Sequence, residues 1–333
     1  MTDTNITSSR RNFLIAASGA SAAAIATQFA SSDAAFAAAP MAGSARGGAF
    51  RRVKLGAFEV TTLFDGYVNA NRVFPIFGQN QSADIVAAHM EQNFLPGNAM
   101  QNGYTPVLVN TGNELVLFDT GNGSGRGETR GKLLQALAEA GYQADQIDIV
   151  VITHFHGDHI SGLITDGKPV FPKARYVTGE VENNFWTSKA VTESSDQRMQ
   201  GRSKLVQAKV VPVAPKTTYI KGGQDVVTGI TAVETFGHTP GHMAYNIESN
   251  GKRLLLWADA CNHYVASLQK PEWHVVFDMD KDAAIASRRK ILDMAAADRI
   301  AVTGYHMPFP AMGFIEKTGD AHRWVPLTYQ FDL

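Results

Sequence analysis

Three histidines and one aspartate lie within six consecutive positions of this 333-residue chain, in the stretch His154-Phe155-His156-Gly157-Asp158-His159. In an extended segment the first two histidines point to the same side, whereas the aspartate and the last histidine follow a glycine turn and can point elsewhere. Neutral imidazole and carboxylate groups bind Zn, Fe, Mn, Co or Ni, and no cysteine lies nearby to indicate a purely structural site. The two directions therefore predict a site for two metal ions.

The residues that precede the candidate ligands predict rigid supports for them. Residues 147–152 form a short, nearly continuous apolar run rich in β-branched side chains, which is typical of a strand buried on both faces. Further strands are predicted at 230–234, 253–257 and 300–302, and they lead to His238, Asp259 and His306, respectively. A long helix is predicted at 281–297, with an aspartate near its N-terminus.

The histidine and aspartate motifs resemble those of the metallo-β-lactamase superfamily. The resemblance rests on His154-x-His156-x-Asp158-His159, Gly237-His238-Thr239-Pro240-Gly241-His242, Asp259 and Gly304-Tyr305-His306. It implies an α/β fold, the αβ/βα four-layer sandwich, in which two mixed β-sheets lie face to face and are flanked by helices. The alternation of predicted hairpins and helices fits this architecture.

The resemblance also implies how the ligands are divided. One metal is expected at His154, His156 and His238, the other at Asp158, His159 and His306, with Asp259 bridging the two. Two divalent ions per chain are expected, Zn²⁺ first, with Mn, Fe, Co and Ni as alternatives. A metal-bridging hydroxide would attack an ester-type substrate, so no protein nucleophile is needed and the metal-binding Asp158 and Asp259 are predicted to be catalytic. The sequence accordingly contains no G-x-S-x-G motif.

The resemblance also implies that two more residues lie behind the ligands and support them. Asp119 ends a predicted hairpin, and the matching aspartate of the superfamily braces the ligand loop from beneath the metals. An ordinary turn at a strand end is the alternative for Asp119. His242 matches a histidine that supports the site without binding metal.

Within the superfamily, the pattern looks closest to the methyl parathion hydrolase branch. The likeness lies in Leu55-Gly56-Ala57-Phe58-Glu59-Val60, in Phe185-Trp186 and in His306 before a proline-containing loop. In that branch the aromatic region lines the mouth of the substrate pocket, so Phe185 and Trp186 are expected there, with a plain core position as the alternative. The branch also implies a phosphotriester substrate and a homodimer.

The residues after Asp259 favour a different ester. The stretch Ala260-Cys261-Asn262-His263-Tyr264 is more polar than the apolar run expected in a phosphotriesterase pocket of this branch. We hypothesise that His263 or Tyr264 donates a proton or a hydrogen bond to an ester or lactone, and the alternative is that both are half-buried polar groups without a role. The predicted substrate is therefore a small-molecule phosphotriester, lactone or carboxylic ester.

Two other activities are compatible with the same motifs. Persulfide dioxygenases keep a similar motif with a single iron, so one iron per chain would indicate an oxidoreductase. A metallo-β-lactamase is the weaker alternative, because the subclass with a cysteine ligand requires sulfur where Asp259 stands.

The N-terminal residues predict export. Residues 1–37 are predicted to be a Tat signal peptide, because Arg10-Arg11 precedes a weakly apolar run and Ala35-Phe36-Ala37 supplies a small-x-small cleavage site. Polar residues interrupt that run, so no stable membrane insertion is expected. The protein would engage the Tat export machinery in transit and then reside in the periplasm or be secreted.

The composition of the chain limits its partners, its disulfides and its number of domains. The formal net charge is −1, so nothing indicates a nucleic-acid partner. The single cysteine, Cys261, excludes an intrachain disulfide. Residues 38–50, rich in alanine and glycine, are predicted to be a flexible mature N-terminus, and residues 51–333 a single hydrolase domain.

Overall fold

The structure, a computed structural model, describes residues 48–333. The predicted signal peptide and most of the predicted flexible N-terminus lie outside the described residues. Residues 49 and 50, which precede the predicted boundary at residue 51, make contacts with the rest of the described segment. Ala49 is buried and accepts a hydrogen bond from the backbone N of Phe64, and Phe50 starts the first strand.

The strands of this segment pair into two large sheets and two short hairpins. In chain order they are β1 (Phe50–Leu55), β2 (Phe58–Leu63), β3 (Gly66–Ala70), β4 (Met100–Tyr104), β5 (Val107–Asn110), β6 (Leu115–Phe118), β7 (Ile149–Ile152), β8 (Ile164–Thr165), β9 (Lys168–Pro169), β10 (Arg175–Gly179), β11 (Thr217–Ile220), β12 (Asp225–Val227), β13 (Ile230–Glu234), β14 (Met243–Ser249), β15 (Lys252–Leu256), β16 (Ala301–Thr303), β17 (Met312–Thr318) and β18 (Ala321–Pro326).

Helices occupy the connections between the strands. They are α1 (Ala83–Gln92), α2 (Leu133–Glu139), α3 (Gly157–Ile160), α4 (Glu180–Thr187), α5 (Lys189–Thr192), α6 (Gln197–Lys209), α7 (Ala266–Gln269) and α8 (Lys281–Ala297), with 3-10 helices at Ala144–Gln146 and Val211–Lys216. None of the helices within residues 48–333 combines the length and the hydrophobicity required to cross a membrane.

Both large sheets are mixed. The first has the order β1-β2-β5-β6-β7-β10-β11, with antiparallel pairs up to β6 and parallel pairs from β6 to β11. The second has the order β12-β13-β14-β15-β16-β17-β18, in which only β15 and β16 pair in parallel. The short hairpins are β3-β4 and β8-β9.

The two large sheets pack face to face, and helices cover their outer faces. Phe118 of the first sheet and Tyr245 of the second meet in the central core, with ring centroids 5.1 Å apart. Leu137 of α2 and Trp186 of α4 belong to the apolar cluster outside the first sheet, and Ile291 of α8 belongs to the cluster outside the second. This helix-sheet-sheet-helix arrangement confirms the predicted four-layer sandwich.

Two sequence patterns that support the site also match the structure. All four residues of β7 are buried, as its unbroken apolar run predicts. The predicted helix 281–297 is α8, and its N-cap residue Asp280 accepts a hydrogen bond of 3.0 Å from the backbone N of Ala283.

Candidate metal centre

The ends of strands from both sheets bring seven histidine and aspartate side chains together. His154 and His156 follow β7, and α3 begins directly after them. Asp158 and His159 lie in α3, whereas His238, Asp259 and His306 follow strands of the second sheet. The seven residues form two groups, each with ligand atoms within 4.8 Å of one another: His154, His156, His238 and Asp259, and Asp158, His159, Asp259 and His306.

The first group surrounds one point with three imidazoles and a carboxylate. Nε2 of His238 lies 3.0 Å from Nδ1 of His156 and 3.3 Å from Oδ2 of Asp259. Nε2 of His154 lies 3.8 Å from the same carboxylate oxygen. Ligands about 2.0–2.2 Å from one tetrahedral ion are separated by roughly 3.3–3.6 Å, so these spacings suit a single ion.

The second group is built around both carboxylates. Nε2 of His159 lies 3.4 Å from Oδ1 of Asp259 and 3.5 Å from Oδ2 of Asp158. Nε2 of His306 lies 3.1 Å from Oδ2 of Asp259 and 3.4 Å from Oδ2 of Asp158. Asp259 therefore belongs to both groups, in the position that a ligand shared by two ions requires.

The buried atoms of the centre fit a bound cation. Nε2 of His154, Nε2 of His159 and Oδ1 of Asp259 are buried and have no hydrogen-bond partner among residues 48–333. Buried polar atoms are nearly always satisfied, so a cluster of unsatisfied lone pairs indicates a missing positive partner. Imidazole and carboxylate are ligands for divalent first-row metals. The residues present thus fit the metal ions that the sequence predicts.

Asp119 fixes the orientation of two of the histidines. It is buried and accepts hydrogen bonds from the backbone N of Thr153 at 2.9 Å, from Oγ1 of Thr153 at 2.9 Å and from Nδ1 of His159 at 2.8 Å. The hydroxyl of Thr153, having donated to Asp119, can accept from Nδ1 of His154 at 3.1 Å. Both histidines consequently present Nε2, with its lone pair, to the centre.

Asp278 performs the same task for His238 and was not identified from the sequence. Its Oδ1 accepts from Nδ1 of His238 at 2.8 Å, and its Oδ2 accepts from Arg288 at 2.8 Å. Arg288 is fully buried on α8 and also donates to the backbone oxygens of Ala260 and Pro271. Burial raises the pKa of Asp278, but the bond from His238 and the charge of Arg288 outweigh it and lower the pKa.

His242 supports the backbone of Asp259 from outside both ligand groups. Its Nε2 accepts a hydrogen bond of 3.1 Å from the backbone N of Asp259, so Nδ1 carries the hydrogen and donates to Oγ1 of Thr235 at 2.8 Å. Burial and the nearby charge of His238 lower the pKa of His242 to about 3, so the ring is neutral at neutral pH. The structure places its ring against the backbone of Asp259 and in neither ligand group.

The second ligand group is anchored by the loop that carries His306. Nδ1 of His306 donates to the backbone oxygen of Gly103 at 2.8 Å. The hydroxyl of Tyr305 donates to the backbone oxygen of Asp158 at 2.6 Å, and its ring lies over His159 with centroids 3.9 Å apart. Tyr305 was part of the motif that suggested the family, but its contacts could not be inferred from sequence.

Glu182 connects the two loops that carry the first ligand group. It is buried on α4, and its Oε1 accepts from the backbone N of Phe155 and from the indole of Trp186, both at 2.8 Å. Its Oε2 accepts from Oγ1 of Thr239 at 2.7 Å and from the backbone N of Gly241 at 2.9 Å. One carboxylate thereby holds the His154–His156 loop against the His238 loop.

The position of Trp186 corrects an expectation. Its side chain is 0% exposed and packs in the core outside the first sheet, because its indole N–H is directed inward to Glu182. It therefore does not line a substrate mouth. Phe185 is partly buried and packs edge-on against Trp186, with centroids 5.2 Å apart.

His263 and Tyr264 lie together after the strand that leads to Asp259. Their rings stack with centroids 5.1 Å apart, and Nδ1 of His263 accepts from the backbone N atoms of Val265 and Ala266 at 3.1 Å each. The hydrogen of the neutral ring is therefore on Nε2. Burial lowers the pKa of His263 to about 4 and raises the pKa of Tyr264.

Comparisons with known proteins give the family and the fold of this chain. The Lactamase_B model of the metallo-beta-lactamase superfamily matches residues 103–301, which is more than half of the chain. AidC, a dizinc quorum-quenching lactonase solved in complex with a product, is 27% identical, with a TM-score of 0.77 over 84% of this chain and 98% of AidC.

Two further relatives extend the comparison. The hydrolase AbOPH is 24% identical, with a TM-score of 0.79 over 86% of this chain and 100% of AbOPH, and shares the fold. YobT, an uncharacterized protein of Bacillus subtilis (strain 168), is 27% identical over 196 residues, which are 56% of this chain and 77% of YobT. The chain belongs to the metallo-beta-lactamase superfamily.

Proposed function

We propose that the protein is a two-metal hydrolase of lactones or related carboxylic esters. The observation that carries the proposal is the position of Asp259, whose carboxylate belongs to both ligand groups. Two ions that share a ligand are typical of two-metal hydrolases. The choice of a lactone is supported by the likeness to AidC, a lactonase of which this chain covers 98%.

Each ligand would have a defined part in the centre. His154, His156 and His238 would hold one ion, Asp158, His159 and His306 the other, and Asp259 both. When bound, the ions would lower the pKa of water and polarise a carbonyl oxygen; we expect Zn²⁺ in both positions. Asp119, Asp278 and the backbone oxygen of Gly103 would hold the hydrogen of each of these imidazoles on Nδ1, so that Nε2 faces the ion.

The ligand side chains differ in exposure, which indicates the side from which a substrate approaches. Those of His154 and His159 are 0% exposed and that of Asp259 3%, whereas that of Asp158 is 24% exposed. Burial raises the pKa of Asp158, but the neighbouring His159 and His306 lower it further, so the carboxylate remains ionised. A substrate would therefore reach the centre from the side of Asp158.

His263 and Tyr264 can assist only as hydrogen-bond donors at neutral pH. With a pKa of about 4, His263 is not an imidazolium there, so it has no extra proton to transfer. Its Nε2–H and the hydroxyl of Tyr264, whose pKa burial raises, remain available as donors to a leaving oxygen.

The alternative activities have weaker support. The methyl parathion hydrolase branch and its phosphotriester substrate remain a prediction, and the buried position of Trp186 removes the ring expected to stack on an aromatic leaving group. A mononuclear iron dioxygenase would leave the second ligand group without a function. A β-lactamase would need support from a substrate assay, since the ligand arrangement alone does not favour it.

The proposal is tested by turnover on two substrates. We expect the purified, metal-loaded enzyme to have a higher kcat/KM for an aliphatic lactone such as γ-caprolactone than for methyl parathion. Asp259→Asn should lower lactone turnover by more than about 100-fold. Loss of a residue that only hydrogen-bonds to a ligand costs up to about 100-fold, and Asp259 would be a ligand itself. Preference for methyl parathion would overturn the lactone assignment, and full activity of Asp259→Asn would overturn the two-metal mechanism.

A further inference from the structure

Arg202 is a cation on the inner side of α6. The helix places Met199, Ser203 and Val206 toward the core outside the first sheet, and Arg202 shares this side with them. The arginine is half-buried. Its guanidinium makes no hydrogen bond or ion pair with any residue of the described 48–333 segment.

The same side of α6 lies against the metal centre. Leu205, three residues after Arg202, packs on Gly157, the first residue of α3, where an added Cβ would lie 3.2 Å from Cδ2 of Leu205. Asp158 and His159 follow Gly157 in α3. Arg202, about one turn of α6 before Leu205, therefore lies on the side of α6 that faces the helix bearing these two ligand candidates.

No carboxylate of the described residues pairs with this guanidinium. Burial and the charge of Arg198 lower the pKa of Arg202, and the charges of Asp158 and Asp196 oppose this effect. Oδ2 of Asp158 lies 3.5 Å from Nε2 of His159 and 3.4 Å from Nε2 of His306, and Asp196 caps α6 by accepting from the backbone N of Met199. A half-buried cation beside a site for two further cations is unfavourable unless an anion accompanies it.

We propose that Arg202 binds a carboxylate of the substrate, so that the preferred ester or lactone carries a negative charge near the bond that is cleaved. This inference rests on the proposed function and specifies its substrate class. The planar guanidinium can hold a carboxylate through two parallel hydrogen bonds. Partly buried apolar side chains of the same cluster would contact a short aliphatic portion of the substrate: Phe185, Met199, Leu205 and Met279.

A pair of esters that differ only in one terminal group tests the proposal. In mono-4-nitrophenyl succinate a carboxylate replaces the terminal methyl of 4-nitrophenyl butyrate, and the leaving group is the same. We expect Arg202→Met, which keeps an aliphatic stem, to raise KM for the succinate ester about tenfold more than KM for the butyrate ester. Arg202→Lys should restore part of the difference, since it keeps the charge.

A neighbouring residue provides the control. Lys204 lies on the same helix but is exposed, so Lys204→Met makes the same change of charge away from the centre and should leave the preference between the two esters intact. An equal rise in KM for both esters in Arg202→Met would show that the arginine only packs through its aliphatic stem while its guanidinium lies in water. This result would overturn the proposal.

Calorimetry separates this inference from the proposed function. Succinate should bind the metal-loaded enzyme about tenfold more tightly than butyrate, and the advantage should disappear in Arg202→Met. If this binding difference persists in a protein that hydrolyses neither ester, the carboxylate site stands and the proposed hydrolase function fails. Equal binding of succinate and butyrate by the wild type would overturn the carboxylate site.

Discussion

The individual ligands of the centre are oriented by partners on their far sides. Asp119 accepts from His159, Asp278 accepts from His238, and a backbone oxygen accepts from His306. Each of these bonds places the hydrogen on Nδ1 and leaves Nε2 free to bind metal. The sequence motif specifies the ligands, whereas their geometry depends on residues that are distant in sequence.

The carboxylate of Glu182 should contribute strongly to stability. In Glu182→Gln, an amide N–H₂ would face two hydrogen-bond donors, so at least two of its four bonds would be lost. We expect the free energy of unfolding in urea to fall by about 2–4 kcal/mol and metal binding to weaken, because the loops of the first ligand group would separate.

The control for this prediction lies on the same helix. Glu180 forms a partly exposed ion pair with Lys221 at 3.1 Å, so Glu180→Gln should change the free energy of unfolding by less than about 1 kcal/mol. Similar effects of the two substitutions would show that the hydrogen bonds of Glu182 contribute little.

The residues that could be predicted from sequence are those within compact motifs. His154 to His159 are contiguous, and their chemistry is evident from residue type and spacing. Asp278, Glu182 and Arg202 were not identified, because an isolated acid or arginine has no local pattern that indicates burial. Trp186 takes the core position, which was the alternative to the mouth of the pocket, and only the tertiary structure shows that its indole is directed to Glu182.

The close approach of helices to the metal-binding loops depends on glycine. A Cβ on Gly241 would lie 2.1 Å from the backbone N of Glu182, which would force α4 away from the His238 loop. We expect Gly241→Ala to lower the free energy of unfolding by at least about 1–3 kcal/mol, as overpacking does, and to reduce the metal content of the purified protein.

A glycine within a helix supplies the contrast. A Cβ added to Gly201 of α6 would meet no neighbouring side chain within 4 Å, so Gly201→Ala should stabilise the protein by about 0.5–1 kcal/mol through helix propensity. Unfolding measurements that rank Gly241→Ala as equal to or more stable than Gly201→Ala would contradict the steric explanation.

At the level of elements, regular patterns were predicted well and irregular ones were not. The unbroken apolar run of β7 and the periodic face of α8 identified both elements. The valines at 210, 211 and 213 favour a strand, but the segment Val211–Lys216 is a 3-10 helix, because Pro212 and Pro215 override the β-branched side chains. The polar segment 191–204, which lacks strong periodicity, contains most of α6.

For the molecule as a whole, the prediction of export depends on residues outside the described segment. The pair Arg10-Arg11 is the feature that indicates the Tat pathway. Replacing both by lysine should retain the protein in the cytoplasm of a bacterial host, as measured by immunoblots of periplasmic and cytoplasmic fractions. Unchanged export of this variant would contradict the assignment of residues 1–37.

The two sheets together create the centre, because neither provides all of its ligands. The first sheet supplies the residues that follow β7, and the second supplies His238, Asp259 and His306. The four-layer fold could be predicted because the motifs identify the family. The substrate could not, since no local pattern in the sequence specifies which side chains surround the metal centre.

The central claim is that one carboxylate, Asp259, joins two metal ions into a single hydrolytic centre. The most direct measurement is the metal content per chain of the purified wild type and of Asp259→Asn, by elemental analysis alongside lactone turnover. We predict two ions per wild-type chain, with loss of metal and of turnover together in Asp259→Asn. One ion per wild-type chain, or two ions and full turnover in Asp259→Asn, would contradict the claim.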